Sequence, residues 1–143
     1  MGSMDLEALV HALGDAVIVA DPEGRVRLWP PAAERIFGYA AAEALGQSLD
    51  LIIPERFRAR HWAGYHEVMR TGVTRYGTDV LRVPAIRKGG EPISIAFTVA
   101  LLREADGRVS GIAAVVRDET VRWAEEQALR RRLAELERGT RPA

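Results

Sequence analysis

Three segments in the second half of the chain, VLRVPAI (80–86), ISIAFTVALL (93–102) and VSGIAAVV (109–116), alternate apolar and polar or small residues with a period of two. That period belongs to β-strands, not helices. Gly89-Gly90 separates the first two segments and Asp106-Gly107 the last two; both dipeptides suit the positive φ angles of tight hairpin turns. Three strands joined by two hairpins commit this half to an antiparallel meander. The first half adds a second hairpin, AVIVA (16–20) and RVRLW (25–29) around Asp21-Pro22-Glu23-Gly24. Helical spacing appears at 4–13, in PAAERIFG and AAAEALG (each closed by glycine, at 38 and 46), and in the long run from Pro54 to Gly72. A last helix runs from Thr120 to about residue 138. The order predicts an α+β domain: a five-stranded antiparallel sheet with helices grouped on one face and further helices flanking it at both ends.

One strand says more. On 93–102, Ile93, Ile95, Phe97, Val99 and Leu101 face one way, while Ala96, Ala100 and Leu102 face the other. An antiparallel sheet ordinarily leaves one face polar and wet. An apolar outer face predicts association, with cover from the N-terminal helix, a partner subunit or both. The expected homodimer uses the N-terminal helix, the outer sheet face and the C-terminal helix, where Ala128, Leu129, Leu133 and Leu136 form a narrow apolar stripe.

Composition excludes several function classes. A chain of 143 residues suffices for one domain with its own core. Twenty basic and twenty acidic residues cancel, so no net field favours nucleic acid or an anionic membrane. The absence of cysteine removes disulfides, thiolate nucleophiles and Cys-based zinc sites. No apolar run approaches the roughly 20 residues that span a bilayer, and the expected location is cytoplasmic. Met1-Gly2-Ser3-Met4 reads as a tag remnant ahead of a capping helix, and the long final helix points to a piece of a longer protein. The expected division is 1–13, 14–119 and 120–143.

No catalytic constellation emerges. Gly89-Gly90 lies between strands rather than before a helix, so it makes no phosphate loop; no serine sits in a nucleophile elbow. Glu125-Glu126 lies on an exposed helix, where a general acid gains no pKa shift. The expectation is a protein that is not an enzyme. The helix from Pro54 carries two histidines. At about 100° per residue, His61 lies ~40°, Tyr65 ~80°, Val68 ~20° and Gly64 ~−20° from Phe57, whereas His66 lies ~180° away. His61 therefore belongs to the apolar stripe facing the sheet, and His66 to solvent. Trp29 and Trp62 read as packing or interface residues, and Arg130-Arg131-Arg132, among neighbouring glutamates, as a solvated face.

Taken together, DAVIVADPEGRV (15–26), AAERIFGYAAAEALGQSL (32–49), the helix entered by IPERFRARH (53–61), RKGGEPISIAFTVALL (87–102) and GIAAVVRDET (111–120) resemble a PAS domain over about residues 14–120. Two positions depart: Pro30-Pro31 replaces the family's common Asn, and the closing Asp-Ile-Thr reads Asp118-Glu119-Thr120. The resemblance implies a sensory and dimerising module linked through its terminal helix to a kinase, cyclase or transcription domain. It excludes flavin photochemistry and the cinnamate type, both of which need a cysteine.

Within the family, the haem-binding domains of bacterial oxygen-sensing kinases and phosphodiesterases are similar in the pattern Arg58-x-x-His61 after Ile53-Pro54, and in the spacing from His61 to Gly90. The similarity implies haem b with His61 as axial iron ligand, Tyr65 on the same helix face and Arg75 beside a propionate. It also places Leu81 where oxygen-binding members carry an arginine, leaving an apolar distal wall of Leu81, Phe97 and Val99. Carbon monoxide, nitric oxide or a redox signal then suits the site better than oxygen, although Phe97 stands in space a porphyrin needs. Zinc-ligand spacing is absent, so no metal centre built from protein ligands alone is expected. A second reading stays open: His61 is a core histidine bonded to a carbonyl or to Asp79, in a cofactor-free dimerisation module or a receptor for a small apolar metabolite.

Overall fold

The computed structural model describes residues 4–74 and 76–140. Its elements are α1 (Leu6–Ala12), β1 (Ala16–Ala20), β2 (Val26–Leu28), α2 (Pro31–Phe37), α3 (Ala41–Ala44), a 3-10 turn (Leu49–Ile52), α4 (Glu55–Thr71), β3 (Leu81–Ile86), β4 (Pro92–Arg103), β5 (Val109–Asp118) and α5 (Thr120–Thr140). Local chemistry explains most boundaries. Pro31 opens α2, where its missing N–H costs nothing, and Gly38 closes it at φ 80°. Gly72 closes α4 at φ 70°, with its N–H donating to the Val68 carbonyl.

The five strands form one antiparallel sheet in the order β2-β1-β5-β4-β3. The three expected hairpins are present. The remaining contact is non-local: β1 pairs with β5, from Ala16 opposite Val116 to Ala20 opposite Ile112. This puts the first and last strands side by side at the centre. Cross-strand partners share a face, so Ile18, Ala114, Val99 and Phe97 lie on the inner side.

The core occupies one end of that inner face, where Trp29, Ala33 and Phe37 pack on Ala16, Ile93, Ile95 and Val116. Phe37 is fully buried, 5.5 Å from the Trp29 ring. Lys88, in the β3–β4 turn, donates its backbone N–H to the Phe37 carbonyl and pairs its ammonium with Glu43. Farther along the same face, Leu81, Phe97, Val99, Leu101 and Ile112 are only half-buried.

Among the described residues, the outer face is covered only in part: Ala96 is buried, but much of the rest is open. Helix α1 buries no residue, with Leu6 66% and Leu9 46% exposed, while Leu102 and Val115 of the outer face are 39% and 42% exposed. On α5, Leu129, Leu133 and Leu136 are 67%, 57% and 58% exposed.

Candidate functional site

Helix α4 packs on the β1–β2 turn and on the 3-10 turn, and these contacts define its rotation. Tyr65 is its buried residue; the hydroxyl donates to the Asp21 carbonyl at 2.5 Å. Trp62 donates from Nε1 to Asp50 Oδ1 at 2.7 Å, and its six-membered ring lies against Gly24. Both side chains therefore meet the β1–β2 turn. The packed face of α4 is centred between Tyr65 and Trp62, about 100° around the helix from the stripe through Phe57 and Val68. Period alone could not locate it, because Trp62 and Tyr65 straddle the edge of that stripe.

The turn that receives α4 is itself well held. The Asp21 carboxylate accepts from the backbone N–H groups of Glu23 and Arg25 at 3.0 and 2.9 Å, and from Arg27 Nε at 2.8 Å. Burial pushes the Asp21 carboxyl up, but these hydrogen bonds and the Arg27 charge outweigh it, and the net direction is down. At the other end of α4, Arg103 donates to the carbonyls of Gly72 and Gly107 at 2.5 and 3.1 Å, bracing the helix against the β4–β5 hairpin. The sequence gives no local signal for either brace, since each spans dozens of residues.

His61 is half-buried on the flank of this packed face. Its ring stands edge-on to Trp62 at 4.6 Å and tilted to Tyr65 at 5.7 Å. Its Nδ1 is buried with no hydrogen-bond partner among the described residues, so the bond to a carbonyl or to Asp79 expected of a satisfied core histidine is not made at that atom. Burial lowers the His61 pKa, the Asp50 carboxylate partly offsets this, and His66 lowers it further. Burial thus favours the neutral ring. His66 is exposed and stacks on Trp62 at 5.9 Å. Burial, followed by the charges of Asp21 and Glu23, raises the Tyr65 pKa, so its phenol stays protonated as a donor.

The lowered His61 pKa has a measurable consequence. The unfolded chain takes up a proton near pH 6.5, whereas the folded chain resists until lower pH. The stability contributed by the neutral ring is complete above pH 6.5 and is lost as pH falls through the folded pKa. Urea midpoints measured from pH 7.5 to 5 are expected to fall in the wild type and to fall less in His61→Phe; parallel curves would show that the ring is not buried neutral.

Leu81, Phe97 and Val99 share the inner face. Leu81 pairs with Phe97, and Val99 is the next inward residue of β4. Arg82 points away, in the cross-strand row Arg82, Ala96 and Arg117. Arg75 lies outside the described residues. Among the described residues, no group of three or more His, Cys, Asp or Glu could hold a metal ion. A half-buried imidazole whose buried Nδ1 has no partner among the described residues fits a cofactor that brings its other metal ligands with it, the haem case.

The sheet meets α5 at one further point. Glu119 donates its N–H to the Ser94 carbonyl at 2.8 Å, and Ser94 donates its N–H to Thr120 Oγ1 at 3.1 Å. Thr120 Oγ1 in turn donates to Asp118 Oδ1 at 2.5 Å. Both backbone groups of Ser94, on the strand that carries Phe97 and Val99, are thus tied to the start of α5.

A family model described as PAS fold matches residues 4–118. The sensor protein FixL of Bradyrhizobium diazoefficiens is 33% identical over 109 residues, covering 64% of this chain and 21% of that protein. The oxygen sensor protein DosP of Escherichia coli is 27% identical over 135 residues, 94% of this chain and 16% of that protein. The chain thus spans about a fifth of the length of these curated relatives, or less. A PAS domain from Colwellia psychrerythraea superposes with a TM-score of 0.70 at 17% identity, over 80% of this chain and 94% of that one.

Proposed function

The chain belongs to the PAS family, and from that premise we propose that it is the input module of a longer signal-transduction protein, with haem held between α4 and the inner sheet face. His61 is the proposed axial ligand. The observation that carries this reading is the buried Nδ1 of its half-buried ring, left unpartnered among the described residues. When bound, haem supplies an iron that takes a diatomic gas or changes redox state. The chain's own part is to present the imidazole and to wall the site with Leu81, Phe97 and Val99. None of these three carries a hydrogen-bond donor, which favours carbon monoxide or nitric oxide over oxygen. Arg75 is the proposed propionate partner, and Tyr65 holds α4 in place through Asp21.

The signal leaves through β4. A guest against Phe97 and Val99 biases the strand, and the Ser94 links pass that bias to α5, shifting populations between two arrangements of a homodimer. In this proposal residues 14–119 form the sensory core, 120–143 the signalling segment, and the output domain is covalently attached, in a cytoplasmic protein. Among the described residues, no helix is long and apolar enough to cross a membrane.

Haem reconstitution tests the assignment. The wild type and His66→Ala are expected to show a Soret band that His61→Ala lacks. A colourless wild type would overturn the haem reading and leave the receptor for a small apolar metabolite, which the half-buried apolar inner face favours in its own right.

A further inference from the structure

We propose that the crevice between the start of α5 and the β3 side of the sheet is a second ligand site, for a small aromatic carboxylate. The crevice has a volume of about 160 Å³ and lies between Arg82, Pro84 and Ser94 on the sheet and Glu119, Arg122 and Trp123 at the helix. An apolar space of about 150 Å³ holds one benzene ring, so the guest is limited to a single ring with a short polar group. Arg82 and Pro84 alternate with Leu81 along β3, which turns them away from the face that carries Phe97 and Val99. The binding proposal is therefore independent of the haem reading.

Two recognition groups in the crevice are unused. Trp123 is 52% exposed, and its indole makes no hydrogen bond or ring contact among the described residues. Arg82 is exposed on an edge strand, with no hydrogen bond or ion pair among the described residues. The neighbouring charges are all paired. Glu119 meets Arg122 at 3.2 Å and Glu126 meets Arg130 at 3.3 Å, while Arg117, in the cross-strand row of Arg82, meets Asp15 at 3.0 Å. Arg82 is left to set the sign, and its complement is an anion. A planar guanidinium offers a carboxylate two parallel N–H donors. The indole and the Pro84 ring take the apolar part of the guest. An aliphatic acid forgoes the stacking, and a neutral ring leaves Arg82 unanswered.

The position of the crevice gives the site a use. Ser94, on its sheet side, is tied through both backbone groups to Glu119 and Thr120. A guest between Pro84 and Trp123 sets the spacing of helix and sheet at that joint, and so acts on α5 directly. This consequence, unlike the binding itself, rests on the signalling path proposed above.

Benzoate titrated into ¹⁵N-labelled protein tests the site, because the indole N–H signals of the three tryptophans report on three places. Trp29 donates to the Tyr39 carbonyl and Trp62 to Asp50, and the Trp123 signal is identified by its loss in Trp123→Leu. Benzoate is expected to shift the Trp123 signal with a dissociation constant on the order of 1 mM, leaving Trp29 and Trp62 in place. Arg82→Gln is expected to raise that constant about 10-fold while Tm stays unchanged, since Arg82 is exposed. Benzyl alcohol, the same ring without the charge, is expected to bind about 10-fold more weakly than benzoate and equally to both proteins. A Trp123 signal that stays still, or a shift that Arg82→Gln leaves untouched, would overturn the proposal. A saturable shift of Trp62 alone would put the guest beneath α4 and overturn it as well. The Soret band of the reconstituted protein is read separately, so failure here and failure of the haem reading are distinct.

Discussion

Phe37→Ala is expected to cost about 3–5 kcal/mol of folding stability, a drop of roughly 10–15 °C in Tm. Phe37 is fully buried where α2 meets the sheet, packed on Trp29 and within the same cluster as Ile93, Ile95 and Val116. Removing the ring forfeits its transfer from water and leaves a void that its neighbours cannot fill. Main-chain contacts restrict their collapse, since the Phe37 carbonyl accepts from Lys88 and Gly38 fixes the end of α2. Leu45→Ala is the control: Leu45 is 45% exposed, and its truncation is expected to stay within about 0.5 kcal/mol. Urea denaturation of the two variants makes the comparison, and a Phe37→Ala cost below about 1 kcal/mol would mean that this end of the sheet is not the core.

Gly24→Ala is expected to cost about 2–4 kcal/mol for two separable reasons. The residue sits at φ 80°, where a Cβ is strained, and the added methyl would overlap the outer ring of Trp62. Trp62 cannot simply swing aside, because its Nε1 is bonded to Asp50 and its ring is flanked by His61, Tyr65 and His66. Gly89→Ala isolates the first reason: its φ is 95°, with nothing near the new methyl, so only the strain of roughly 1 kcal/mol should appear. Equal costs at the two glycines would show that Trp62 does not rest on the turn. A larger cost at Gly24, accompanied by a changed near-UV circular dichroism spectrum, would show that the turn holds α4 in position. The same variant would then weaken whatever binds beneath α4, and this links the packing of one glycine to the sensing role.

Much of the fold could be read from nearest neighbours. The strands of the second half announce themselves by alternation, and Gly89-Gly90 and Asp106-Gly107 provide the turns between them. Gly38 and Gly72 close their helices with the left-handed residue that the last carbonyls require. Phe97 and Val99 could be set on one face in advance because a strand's side chains alternate strictly, whereas Leu81 was placed beside them by the family resemblance. The same rule turned Arg82 away from that face. The two histidines were separated by helical angle alone, and exposed His66 and half-buried His61 follow that separation.

What the sequence determined by itself is therefore local: element type, hairpin order, caps and the facing of residues along a strand, all governed by sterics and hydrogen bonds within a few residues. Three things were decided only by tertiary structure. β1 lies beside β5, nearly the whole chain apart in sequence. Helix α4 is rotated so that Trp62 and Tyr65, rather than the centre of its apolar stripe, meet the β1–β2 turn. His61 is left with a buried nitrogen that nothing among the described residues engages. Each depends on which distant surfaces meet when the core closes, and a helix with several apolar directions does not encode that choice in its own period.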